Sequence, residues 1–123
     1  MLNAERRSLD PSLHPSDHPN HFVLNTYEFT EHFPRTEVYG LTVQLKRAVI
    51  SIAANIAEGF RKRSKAETHR YMEIAHSSLE NCQYYLILAR DLGYGEKAEL
   101  DCLLTEISKM LFSYKSALKR NVE

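Results

Sequence analysis

Leu41 to Gly59 reads LTVQLKRAVISIAANIAEG, and the periodicity of this stretch decides the fold. Its polar residues Gln44, Arg47, Ser51, Asn55 and Glu58 recur at spacings of three and four. At about 100° per residue they fall within roughly one quarter of a helix circumference. Leu41, Leu45, Ala48, Val49, Ile52 and Ile56 lie on one flank of that stripe, and Val43, Ile50, Ala54 and Ala57 on the other. A helix apolar on two flanks and lined with alanines needs several neighbours at close range. The polar stripe is then either a solvated face or a hydrogen-bonded seam at an interface. Ser51 and Asn55 are poor helix-interior residues for plain exposure, which tips the balance toward a seam. In such a seam Asn55 bonds across a helix interface, and Glu58 pairs with a basic residue such as Arg47 of a neighbour.

Upstream, Pro34 ends one segment, and Thr36 is placed to cap the central helix with Glu37 in its first turn. Gly40 then falls early in that helix as a mild blemish. His21 to Phe33, HFVLNTYEFTEHF, fits a short helix through Phe22, Phe29 and Phe33, although its aromatic and Thr content would also suit a strand. Met1 to Asn20 carries Pro11, Pro15 and Pro19 among Ser, Asp and His, and reads as a flexible tail. The bundle domain is therefore expected over 21–123.

Downstream, Gly59 sits where a helix end favours positive φ. Ser64-Lys65-Ala66-Glu67 has the form of a capping box and opens a long helix to about Leu92. Tyr71, Ala75, Ser78, Cys82, Tyr85 and Ala89 form its three-four alternation, widened by Met72, Leu79 and Leu86. Gly93-Tyr94-Gly95 is a turn. From about Glu96 to Lys119, Leu100, Leu104, Ile107, Leu111, Tyr114 and Leu118 make a sustained apolar seam. No hairpin signal interrupts the pattern. These segments predict an all-α, antiparallel up-down four-helix bundle with a short first helix.

Sixteen Lys and Arg balance sixteen Asp and Glu among 123 residues, so the chain lacks the basic excess of a dedicated nucleic-acid binder. One domain is expected at this length. Its longest apolar runs are too short for a membrane span, and its N-terminus lacks the apolar region of a secretory signal. The expected location is the cytoplasm. There Cys82 and Cys102, on helical segments with no CxxC or zinc spacing, are expected as buried free thiols.

The chain contains no Gly-rich phosphate loop, nucleophile elbow or paired-histidine metal motif. Glu73 and His76 match a single Glu-x-x-His, whereas bundle di-metal sites need two. His14, His18 and His21 share the tail without supporting carboxylate or thiol spacing. Neither set is read as a metal site, no cofactor is implied, and enzymatic activity is not expected. The remaining cluster is basic: Arg61, Lys62, Arg63 and Lys65, with Arg70 one turn further along. Such a loop is commonly just solvated; repeated around a cyclic oligomer it becomes a positive rim for phosphates. Lys115, Lys119 and Arg120 belong either to the same end or to the opposite one.

The run FPRTEVYGLTVQLKRAVISIAANIAEGFRKRSKAE, with the following YMEIAHSSLENCQYYLILARDLGYG, closely resembles the bacterial 23S rRNA intervening sequence proteins. The likeness covers roughly Tyr27 to Leu118 and centres on NIAEG and its basic loop. It implies a small non-enzymatic helical bundle assembled as a ring-shaped homopentamer. A relative, the accessory protein of diversity-generating retroelements, binds nucleic acid and a reverse transcriptase through a basic surface. The chain has Ala53 where the family commonly has Pro and Ser77 where it has Gly, and both changes favour regular helix. Its proline-rich tail replaces part of a longer first helix. The resemblance bears on fold and assembly more than on function, and the expected role is an RNA-associated or scaffold one linked to the ribosome, with Arg61 to Lys65 as a phosphate-contacting patch. The alternative is a protein-interaction adaptor that binds no nucleic acid.

Overall fold

In the computed structural model, residues 19–122 are described, and they form four α-helices and one 3-10 turn. The helices are α1 (Pro19–Thr30), α2 (Leu41–Arg61), α3 (Lys65–Asp91) and α4 (Ala98–Val122), with the 3-10 turn Arg35–Glu37 between the first two. No strand occurs among the described residues. The tail outside α1, including His14 and His18, lies outside the described residues.

α1 starts at Pro19, two residues before the expected boundary. Proline at a first helical position loses no bond, since that N–H lacks an intrahelical acceptor anyway. Phe22 and Phe29 are buried at helical spacing, and Phe33 follows just beyond the helix. Asn25, Thr26 and Thr30 are also buried because each side chain bonds a carbonyl of the preceding turn, at 3.0, 2.8 and 3.0 Å. The period-2 alternative fails because this segment satisfies its polar groups locally.

Thr36 does not cap α2. The helix begins at Leu41 with Gly40 as its N-cap, a residue without a side chain to offer. Glu37 supplies the missing acceptor: its Oε1 accepts from the Leu41 N–H at 3.0 Å. Its Oε2 accepts from the Tyr94 hydroxyl at 2.6 Å, tying this junction to the α3–α4 turn. A Cβ at residue 40 would collide with the Glu37 carboxylate, so this glycine makes room for the substitute cap. The Tyr94 hydrogen bond holds the Glu37 carboxyl below its ordinary range, and the same bond raises the Tyr94 phenol.

Of the two apolar flanks expected to be enclosed, α2 buries Leu41, Leu45, Ala48, Val49, Ile52 and Ile56 within the chain, and leaves Ile50, Ala54 and Ala57 of the other exposed. It packs most extensively on α3, α3 packs on α4, and α1 lies against α2 and α4. The centre of α3 is the heptad-like series Thr68, Met72, Ala75, Leu79, Cys82, Leu86 and Ala89. Tyr71, Ser78 and Tyr85, expected within that seam, are its half-buried edge. α4 buries Leu100, Leu103, Leu104, Ile107, Leu111 and Leu118. Truncating such a side chain to Ala costs about 2–5 kcal/mol. α2 runs unbroken through Ala53 and α3 through Ser77.

Two glycines occupy the α3–α4 turn with positive φ, Gly93 at 80° and Gly95 at 122°. Gly59 has a different job. α2 continues past it to Arg61, and a Cβ there would lie 2.8 Å from Met72 Cε and 3.1 Å from Tyr71 Cβ. The residue permits close approach of α3; it does not turn the chain.

Candidate nucleic-acid interface

Ser64 caps α3 as expected, its hydroxyl accepting from the Glu67 N–H at 3.0 Å. The α2–α3 connection is short, since α2 ends at Arg61 and α3 begins at Lys65. Arg61, Arg63, Lys65 and Arg70 are exposed, and the Arg61 side chain is 76% accessible. Among the described residues, Arg63, Lys65 and Arg70 have no carboxylate partner.

Lys62 is held differently from its neighbours. Its Nζ lies 3.0 Å from Glu58 Oε1 and 5.1 Å from the Tyr71 ring centroid. Arg61 reaches the other oxygen of Glu58 at 3.6 Å. The Lys62 hydrogen bond lowers the Glu58 carboxyl, and Glu58 in turn raises the Lys62 ammonium. Within the chain Glu58 thus pairs with the two cations that follow it, Arg61 and Lys62. Lys62 is consequently the cation least free to meet a phosphate.

α4 ends at this same loop. Phe60, in the last turn of α2, and Tyr114 have ring centroids 5.3 Å apart with planes inclined 68°. That packing brings the C-terminal turns of α4, bearing Lys115, Lys119 and Arg120, to the basic end. Charge is therefore segregated along a chain whose net charge is zero. From Glu58 to Arg70 stand five Lys and Arg side chains and two carboxylates. At the other end, Asp91, Glu96, Glu99 and Asp101 crowd the α3–α4 turn and outnumber Arg90 and Lys97, and Glu28, Glu31 and Glu37 outnumber Arg35 on α1 and its exit. Lys97 and Glu28 pair there at 3.4 Å, as do His21 and Glu99.

The polar stripe of α2 divides into two parts. Gln44 and Arg47 are exposed and border a shallow depression with Ser78, Asn81 and Tyr85 of α3. Ser51, Asn55 and Glu58 are half-buried. Ser51 Oγ meets Ser78 Oγ at 2.8 Å, and Asn55 Nδ2 donates to Ser51 O and Oγ at 2.8 and 3.1 Å. These bonds make a seam between helices of one chain. Beyond the stripe, Ile50, Ala54 and Ala57 are exposed along α2.

His69 Nδ1 lies 3.8 Å from Glu73, and no group of three or more His, Cys, Asp or Glu able to hold a metal occurs among the described residues. Cys82 is buried, and burial pushes its thiol up to about 12. Cys102 is exposed, contrary to expectation: it follows Asp101 on the solvent side of α4, one position before the Leu103–Leu104 core pair. No described helix is long and apolar enough to cross a membrane.

A four-helix chain with a charged interhelical loop defines a small helical-bundle protein. Its family is shown by sequence: the chain belongs to the 23S rRNA-intervening sequence protein family, whose profile matches residues 17–113. No curated protein matches the chain.

Proposed function

We propose that this protein is a non-catalytic, cytoplasmic bundle of antiparallel up-down helices that self-associates into a ring and binds structured RNA through its basic loop. The observation that carries the reading is the charge segregation around Arg61, Arg63, Lys65 and Arg70, reinforced by the arrival of the α4 C-terminus. Cations clustered at one end act on phosphates whatever the net charge of the whole chain. Antiparallel packing is supported by the order of approach along the helices, since Gly59 abuts Tyr71 and Met72 whereas Ser51, earlier on α2, meets the later Ser78. The exposed Ile50, Ala54 and Ala57 line supports self-association, and the homopentamer implied by the resemblance is the proposed state.

Replacing Arg61 and Arg63 with Ala tests the role of the loop. The log–log salt slope of RNA affinity falls by about 0.7–0.9 for each phosphate that is no longer neutralised, while particle mass stays constant. An unchanged slope removes the loop from the mechanism. A second reading, a protein adaptor, is favoured by Tyr39, 93% exposed beside the exposed Val38 at the opposite end.

A further inference from the structure

We propose that the loop binds unpaired RNA, with Phe60 as the platform on which a base stacks; this rests on the phosphate-binding reading above. Phe60 is a large apolar side chain left 57% exposed in the last turn of α2. Its aromatic neighbour is Tyr114, at 5.3 Å with the ring planes inclined 68°. An inclined pair of that kind steadies the phenyl ring and cannot cover both of its faces. A flat ring held on one side and open to solvent is suited to a flat partner.

The surroundings specify which one. Arg61 follows Phe60 directly and Arg63 comes two residues later, both exposed. Lys65 and Arg70 extend the cationic path along the start of α3, and Lys115 adjoins Tyr114. Lys62, held by Glu58 and over Tyr71, packs back into the loop. The loop therefore presents one open aromatic face among exposed cations. Sites for single strands have this composition, with charges along the backbone and an aromatic ring beneath a base. Along its length duplex RNA keeps its base faces inside the stack and offers phosphates, 2′-hydroxyls and base edges, so Phe60 finds no face to stack on there. Tyr39, the most exposed aromatic, follows Glu37 at the acidic end, with Arg35 the one cation of its connection, whereas Phe60 precedes three consecutive cations. Because every base has a π-face, the site tolerates sequence and discriminates by strandedness.

The test compares a labelled oligouridine strand with a blunt RNA duplex, using the full chain and its Phe60→Ala and Phe60→Tyr variants, with particle mass measured in the same buffer. The wild type is expected to prefer the single strand. Phe60→Ala is expected to weaken single-strand binding about tenfold, with salt slope and duplex affinity unchanged, and Phe60→Tyr to retain it. Salt-dependent binding that is equal for strand and duplex, and indifferent to Phe60→Ala, overturns the stacking proposal while leaving the phosphate reading in place. Failure of the wild type to bind either RNA at low salt overturns both. A change of mass in Phe60→Ala also overturns the proposal, because the ring is then covered by a second copy of the chain.

Discussion

Ser51 Oγ lies 2.8 Å from Ser78 Oγ, and Asn55 donates to Ser51 from one turn away, so the polar stripe of α2 is joined to α3 by a continuous hydrogen-bonded chain. Ser51 is its hub. Ser51→Ala removes two of the three bonds, whereas Ser78→Ala removes one. Each bond contributes about 0.5–1.5 kcal/mol. Urea denaturation should therefore rank Ser51→Ala as the more destabilising, and the double variant should cost less than the sum of the singles. Strict additivity would show that the two hydroxyls do not interact.

The Glu37–Tyr94 bond gives stability two pH limbs. Glu37 titrates lower in the folded chain, so its contribution is present above the ordinary carboxylate range and is lost as pH falls through the folded value. Tyr94 titrates higher when folded, so its contribution is present below the ordinary phenol range and is lost as pH rises through the folded value. Melting temperature against pH should fall at both extremes, less steeply on the acid side in Glu37→Gln and on the alkaline side in Tyr94→Phe. Unaltered limbs in both variants would exclude the pair as their source.

The two thiols should separate kinetically. Exposed Cys102 should react with an aromatic disulfide reagent in the native protein, and Cys82 only after denaturant is added, since its buried thiol is held up to about 12. Native labelling of both at comparable rates would contradict the burial of Cys82.

Helix positions are legible where periodicity and local caps agree. The α2 flank Leu41 to Ile56 and the Ser64 cap stand where pattern alone places them. Gly59 and Gly40 are not legible in this way, because local rules treat glycine as a terminator or a blemish. The structure uses one for helix–helix approach and the other to admit the Glu37 carboxylate, both decided by residues distant along the chain or off the helix. The pairing of Glu58 with Lys62 is hidden for another reason: the stripe runs along α2, and the cation lies just past its end. A zero net charge likewise conceals the basic end, because α4 is brought to the loop by tertiary packing such as that of Phe60 on Tyr114. A lone phenylalanine before three consecutive cations is the available signal for that packing.

Binding of the purified protein to structured RNA across a salt series, with particle mass determined by light scattering in each buffer, tests the central claim most directly. The account predicts a multimer whose affinity falls steeply and linearly on a log–log plot as salt rises. The same multimer failing to bind RNA even at low salt would contradict it and identify the bundle as a protein adaptor.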